Sequence, residues 1–145
     1  MPKSPPPAEP HPYHVVANDL PWTDYSDSYP AGMMQQMRAK RVIGPRGAIH
    51  DDETTFGVLE LDPGAEYPAH RHPAPEVYYV IEGEAECVFG EETFRVGPGS
   101  VIRTPPGAWH SFRNIGQGRF FAVAYWWAPG GDRDVLAGGL ELRDA

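Results

Sequence analysis

The stretch "GAEYPAHRHPAPEVYYVIEG", which runs from Gly64 to Gly83, decides the fold of this 145-residue chain. It places His70, His72 and Glu76 between two glycines at positions where strands turn. In an extended strand the side chains of residues i and i+2 share a face and lie about 7 Å apart, so the two histidines can bind one ion. The sequence therefore predicts a metal site on a β-strand.

The residues around the histidines fix which way the chain turns. Arg71, between them, must point to the opposite face of the strand. Pro73 and Pro75 remove two backbone donors and force a bend. Because of this bend, we expect Glu76 to return toward the ion from the next strand.

A second block, "GSVIRTPPGAWHSFRN" from Gly99 to Asn114, adds His110 from a distant strand. Three imidazoles and one carboxylate bind a first-row divalent ion and, in octahedral geometry, leave positions for water or substrate. Catalysis at a metal is the leading hypothesis. The alternatives are that these histidines are satisfied core residues or surface residues, or that His70 and His72 cap a loop.

Composition indicates an all-β chain. Seventeen prolines and sixteen glycines favour short strands joined by turns, and 41% hydrophobic residues suffice for one core. We expect residues 1–12, with six prolines, to form a flexible tail, and residues 13–145 to form a single domain. Residues 128–145 either cover an edge of the fold or pair with a neighbour. Strands are predicted over residues 33–44, 56–61, 77–82, 85–89, 93–96, 100–104, 109–113 and 119–127.

Charge excludes several classes of partner. The formal net charge of −8 argues against binding a nucleic-acid backbone or an anionic membrane. The sequence contains no apolar run of membrane-spanning length and no signal-peptide core near its start, which predicts a soluble cytoplasmic protein. The single cysteine, Cys87, cannot form an internal disulfide, and its apolar strand makes it a poor nucleophile.

Several side chains outside the histidine blocks are candidate pocket residues. Trp22, Tyr25 and Tyr29 either anchor a segment across a face of the fold or line a substrate pocket. Arg103 and Arg113 could reach an anionic substrate, although solvated arginines are the favoured interpretation.

The alternation of side chains along a strand predicts which neighbours of the predicted ligands lie on the same face as the metal. Counting by two from Glu76 places Tyr78 on the metal-facing side, which makes it a candidate catalytic residue. The same count places Phe112 and Asn114 on the face of His110, where we expect Phe112 to pack and Asn114 to satisfy a turn.

At these offsets the two blocks resemble the two conserved motifs of the cupin superfamily. The resemblance covers about the central half of the chain, and all ten motif positions are present: Gly64, His70, His72, Glu76, Gly83, Gly99, Pro105, Gly107, His110 and Asn114. It implies a small double-sheet jelly-roll barrel and a homodimer. It also implies that His70, His72, Glu76 and His110 bind one divalent transition metal, which in cupins is iron, manganese, nickel, zinc or copper.

The string "HRHPAPEVYYVIEGEAE" also resembles the cupin-type dimethylsulfoniopropionate lyases. That resemblance implies that Tyr78 is the general base, which removes a proton α to the substrate carboxylate so that β-elimination releases dimethyl sulfide and acrylate. The role requires the tyrosine pKa to fall from about 10 by roughly 2 to 3 units. One net positive charge about 5 Å away contributes roughly 3 kcal/mol at an effective dielectric near 20, which is about the amount needed.

The resemblance leaves three functions open. One is a metal-dependent lyase acting on a small anionic substrate, and another is an iron-dependent dioxygenase. The third is a non-enzymatic cupin that binds a small molecule without turning it over. Oxygen consumption on turnover separates the first two functions, and the absence of a product identifies the third.

Overall fold

The computed structural model describes residues 11–25, 29–127 and 139–143. Residues 1–10 of the predicted tail lie outside these ranges. The elements within them are one 3-10 helix, Ala17–Asp19, and eleven strands: β1 Met37–Gly44, β2 Ile49–His50, β3 Thr54–Leu61, β4 Glu66–Arg71, β5 Glu76–Glu82, β6 Ala85–Phe89, β7 Glu92–Val96, β8 Val101–Thr104, β9 His110–Asn114, β10 Phe120–Trp127 and β11 Glu141–Leu142.

The strands form two sheets around one hydrophobic core. The six-stranded sheet has the order β2-β1-β3-β10-β5-β8, and the five-stranded sheet has the order β11-β4-β9-β6-β7. β1 and β2 are parallel, and the other pairs are antiparallel. The predicted all-β, double-sheet architecture is confirmed. Within the described ranges no pair of strands joins the two sheets, so the fold is a jelly-roll sandwich and not a barrel closed by hydrogen bonds.

The predicted strands agree with the observed ones to within one or two residues, with one exception. The strand predicted over residues 33–44 begins only at Met37, because residues 31–36 form turns and a bend in which Met33 is buried. At the other end of the chain, β11 pairs with β4, with Leu142 opposite His70. Residues 128–145 were predicted either to cover an edge of the fold or to pair with a neighbour. Their described part covers an edge of a sheet in its own chain.

The interior of the six-stranded sheet changes from apolar to polar along the strands. Met37, Leu61 and Phe120 lie side by side in a buried row at one end. At the other end the inward row contains polar groups: Thr55, Trp126, Glu76 and Thr104. This gradient places the polar chemistry at one end of the sandwich, above a packed apolar base.

The segment before β1 adds a wall at the polar end. The amide of Thr23 donates to the carbonyl of Ala39, and the amide of Arg41 donates to Thr23 Oγ1. These bonds hold the segment along β1, so that Tyr25 is buried and stacks on Tyr29 with ring centroids 4.6 Å apart. None of the described segments is a helix with the length and apolarity that a membrane crossing requires.

Candidate metal centre

Three histidines from the two sequence blocks meet in the interior. His70 of β4 is paired directly with His110 of β9, and His72 follows the end of β4. All three are buried, and one ring nitrogen from each lies within 4.8 Å of the others. This is the convergence that the spacing of the blocks predicted.

Backbone carbonyls orient two of the three rings. Nδ1 of His70 donates to the carbonyl of Pro68 at 2.8 Å, and Nδ1 of His110 donates to that of Ala108 at 2.9 Å. A carbonyl only accepts, so each Nδ1 carries a proton, and in the neutral His70 ring the lone pair of Nε2 is available. This Nε2 is buried and has no hydrogen-bond partner among the described residues, whereas Nε2 of His110 lies 3.3 Å from Glu76 Oε1. Unpartnered buried lone pairs are costly, and a cation would satisfy them, so the residues fit a divalent metal.

The Glu76 carboxylate lies against this histidine group. Its Oε1 is 3.1 Å from Nε2 of His72 and 3.3 Å from Nε2 of His110. Burial raises the pKa of the Glu76 carboxyl, but the neighbouring His110 and His72 lower it by more, so the group is ionised. The group whose ligand atoms all lie within 4.8 Å of one another contains the three histidines and not Glu76. The role of Glu76 as fourth ligand therefore stays a prediction.

The protonation of the histidines follows from the same contacts. Burial and the nearby His110 lower the pKa of His70 well below its usual value, so His70 is neutral, as a metal ligand must be. Burial also lowers the pKa of His72, but the hydrogen bond and charge of Glu76 raise it by more. His72 and Glu76 therefore form a buried ion pair. A metal ion that binds His72 would have to displace the His72 proton and break this pair.

Tyr78 is buried on the same face of β5 as Glu76, as alternation predicted. Its hydroxyl donates to Glu76 Oε1 at 2.5 Å. Burial raises the pKa of Tyr78 well above its usual value, and the Glu76 charge and hydrogen bond add to the rise. A general base needs a shift in the opposite direction, so the catalytic role of Tyr78 stays a proposal that depends on positive charge at the site.

A cavity of about 40 Å³ adjoins His72, one of the three clustered histidines. It has room for about three water molecules, since each takes about 10–15 Å³ of this kind of volume. His72, Glu76 and Tyr78 form one wall of the cavity. Aromatic and apolar side chains from other elements form the rest, among them Tyr25, Tyr29, Tyr67, Trp126 and Leu140.

The sequence prediction left Tyr25 and Tyr29 as possible pocket residues but missed Tyr67. Counting back by two from His70 places Tyr67 on the outer face of β4. The register of β4 against β9 shifts between Tyr67 and His70, and this bulge turns the Tyr67 ring inward, 4.1 Å from the His70 ring. A bulge of this kind leaves no signal in the alternation pattern.

The remaining predicted residues lie away from the cavity or pack as expected. Arg103 is exposed, and Arg113 is exposed and bonded to Glu86 at 3.0 Å, in agreement with solvated arginines. Phe112 is completely buried. Cys87 is buried, and burial raises the pKa of its thiol to about 12, which confirms that it is a poor nucleophile.

Comparison with known proteins relates this site to a family. The cupin domain model matches residues 57–125. The chain is 33% identical over 97 residues to dimethylsulfoniopropionate lyase DddQ of Ruegeria pomeroyi, a match that covers 66% of this chain and 48% of the lyase. It is 30% identical over 105 residues to gentisate 1,2-dioxygenase of a Haloferax species, which covers 71% of this chain and 28% of that enzyme. The chain thus spans about half the length of the lyase.

Solved structures share the fold. The crystal structure of the lyase DddQ from Ruegeria pomeroyi superposes with a TM-score of 0.67 at 30% identity, covering 84% of this chain and 60% of that one. A predicted oxalate decarboxylase from Thermotoga maritima superposes with a TM-score of 0.66 at 20% identity, covering 80% of this chain and 99% of that one. The second likeness shows the fold alone.

Proposed function

Because residues 57–125 of this chain form a cupin domain, we propose that the protein is a divalent-metal-dependent enzyme that acts on a small carboxylate. The observation that carries the proposal is the cluster of three buried histidines whose ring nitrogens lie within 4.8 Å of one another, since one of them, His72, lines the cavity together with Glu76 and Tyr78. The buried Nε2 of His70 has no hydrogen-bond partner among the described residues, and such a lone pair is costly unless it binds a cation. We include Glu76 as the fourth ligand.

The reaction that we propose is a β-elimination of the dimethylsulfoniopropionate-lyase type. Tyr78 accepts the proton α to the carboxylate, the C–H electron pair forms the C=C bond, and the C–S bond breaks. Dimethyl sulfide leaves with the electrons of that bond, and acrylate remains. A divalent cation at the site supplies Lewis-acid charge that stabilises the negative charge developing on the carboxylate.

The Tyr78 hydroxyl has to leave Glu76 before it can take a proton. It is now the donor to Oε1, so it can accept a proton only after it has lost its own. Positive charge beside Glu76 would offset the carboxylate that raises the tyrosine pKa. The walls formed by Tyr25, Tyr29 and Leu140 would exclude water during this step.

The size of the cavity does not separate the two enzyme classes. A volume of about 40 Å³ has no room for a benzene ring, which occupies engineered cavities of about 150 Å³. Dimethylsulfoniopropionate has more non-hydrogen atoms than benzene, so the walls would have to move apart for either substrate.

The test is an anaerobic assay of dimethylsulfoniopropionate with protein loaded separately with iron(II), manganese, nickel, zinc or copper. We expect dimethyl sulfide release with at least one metal, and a fall in kcat of at least about 100-fold in Tyr78→Phe at saturating metal. The control Tyr13→Phe alters a tyrosine that is 87% exposed and should change nothing. Unchanged release in Tyr78→Phe would reject the role of Tyr78. Oxygen uptake with product would indicate a dioxygenase, and binding without product would indicate a binding protein.

We also propose that the chain forms a homodimer through the outer face of the six-stranded sheet. Adjacent strands β10, β5 and β8 expose large apolar side chains there: Tyr79, Ile81, Val101, Tyr125 and Trp127. Tyr79 lies directly opposite Val101, so the side chains form a continuous patch, which is typical of an interface. Tyr79→Glu should give a monomer in sedimentation velocity, whereas Thr93→Glu, at an exposed site of the other sheet, should not. A monomeric wild type would reject the dimer.

A further inference from the structure

Arg41 lies inside the sandwich, in an inward row that it shares with Tyr78. The register of the strands gives the order of this row: Arg41, Gly57, Ala124, Tyr78. Neighbouring strands are about 4.8 Å apart, so the backbones of Arg41 and Tyr78 are about 14 Å apart. The two small residues between them line the cavity and leave its space open.

The backbone of β1 next to Arg41 packs closely against Gly57 of β3. A Cβ atom at Gly57 would lie 2.6 Å from the carbonyl oxygen of Lys40, so only glycine fits there. The register of β1 against β3 shifts between Arg41 and Ile43, and this bulge changes the direction of β1 directly after Arg41. Bulges of this kind are common next to functional sites.

Three aromatic rings surround the Arg41 guanidinium. Its central carbon is 5.2 Å from the ring centroid of Tyr25, 5.8 Å from that of Tyr29 and 5.7 Å from that of Trp126. It also donates to the Tyr29 hydroxyl at 2.8 Å, and Arg41 is only 5% exposed. The same three rings line the cavity, so cation–π contacts join the guanidinium to the cavity wall.

The wall also carries a buried donor. Nε1 of Trp126 has no hydrogen-bond partner in the described part of the chain, and Trp126 is paired directly with Glu76. Lys40 is the next residue with a cationic side chain, but its ammonium group is bound by other residues. Its Nζ donates to the carbonyl of Ala17 and lies over the ring of Trp22. The wall at this end of the cavity therefore contains an N–H donor whose ring centroid is 5.7 Å from the Arg41 guanidinium carbon.

We propose that the Arg41 guanidinium, acting through Tyr29 and Trp126, selects ligands that carry a carboxylate. The proposal rests on the proposed function, because the ligand would occupy the same cavity as the metal site. Tyr29 and Trp126 contact one carboxylate oxygen, and Arg41 is a positioning residue that supplies the charge. The selection is thus independent of the metal, although the two sites act on one ligand.

The experiment compares propionate with its neutral isostere propionamide by ligand-observed NMR titration. It uses metal-loaded and metal-free protein in four forms: wild type, Arg41→Gln, Arg41→Lys and Arg38→Gln. We expect the wild type to prefer propionate at least about tenfold even without metal, the effect of a charge-assisted hydrogen bond. Arg41→Gln should lose this preference and Arg41→Lys should restore most of it. Arg38→Gln should retain the preference, because Arg38 binds Glu60 and Asp62 on the surface.

The outcomes separate this inference from the proposed function. No preference in metal-free wild type, or an unchanged preference in Arg41→Gln, would overturn the role of Arg41 while leaving the metal site intact. Failure of metal-loaded wild type to bind propionate at all would overturn the proposed function as well. If Arg41→Gln does not fold, as judged by circular dichroism, Tyr29→Phe replaces it, and a preference undiminished in that variant would overturn the inference.

Discussion

The Tyr78 hydroxyl and the Glu76 carboxylate are joined by a 2.5 Å hydrogen bond in the interior of the sandwich. Glu76 Oε1 also lies 3.1 Å from Nε2 of His72 and 3.3 Å from Nε2 of His110. The bond thus fixes the orientation of the carboxylate beside the histidines. It gives Tyr78 a structural role that is separate from any part in proton transfer.

Tyr78→Phe should therefore weaken metal binding as well as turnover. Loss of a hydrogen bond that orients a ligand lowers metal affinity by about 10–100-fold. Competition with a chelator measures the change, and Tyr13→Phe is the control. An affinity equal to that of the wild type would mean that Glu76 is oriented without Tyr78, or that it does not bind the metal.

Replacement of His110 should empty the metal site. We expect elemental analysis of tag-free wild-type protein to give about one divalent ion per chain, and His110→Ala to retain less than about a tenth of that. His50→Ala is the matched control, because His50 is exposed and bonded only to a surface carboxylate in the described part of the chain. A wild type that stays empty after reconstitution would argue against metal chemistry altogether.

Asn114→Asp should destabilise the fold. Nδ2 of Asn114 donates to the carbonyls of Leu61 and Gly118, both at 2.9 Å, while its Oδ1 accepts from the amide of Gly116. A carboxylate would place an oxygen against two carbonyls, at a cost of about 1–3 kcal/mol or more. Urea unfolding measures the loss, and Asn18→Asp, at an exposed position, should have little effect. Equal stability of the two variants would contradict the structural role of this motif residue.

Cys87 makes stability depend on pH in the alkaline range. Its pKa is about 9.0 in the unfolded chain and about 12 in the folded one, so above pH 9 the unfolded state loses a proton that the folded state keeps. Folding stability therefore falls as the pH rises, by up to about 1.4 kcal/mol per pH unit from this group. In Cys87→Ala the fall between pH 9 and 11 should be smaller. The native thiol should also react slowly with Ellman's reagent at pH 8, and rapid labelling would show that it is accessible.

Alternation and turn residues were enough to predict most of the fold. In β5, the inward positions of Glu76 and Tyr78 and the outward position of Tyr79 follow from a period of two. The prediction that His70, His72 and His110 come together was equally direct, because prolines and glycines fix where β4 ends and where β9 begins.

The parts of the site that were not predicted depend on irregular strands and on packing between distant segments. Tyr67 turns inward at a bulge, and Arg41 lies next to another. Neither bulge can be read from the pattern of polar and apolar residues. The wall made by Leu140 depends on how β11 returns to β4, which no local signal specifies.

Part of the cavity wall comes from segments outside the one that contains the three histidines. The histidines and Tyr78 lie within residues 57–125, whereas Tyr25, Tyr29, Arg41 and Leu140 lie outside them. Drift in the flanking segments can therefore change which molecule is admitted without altering the three histidines. Two relatives with the same histidine blocks need not share a substrate. Chimaeras that exchange only the flanks would be the direct way to transfer ligand preference between them.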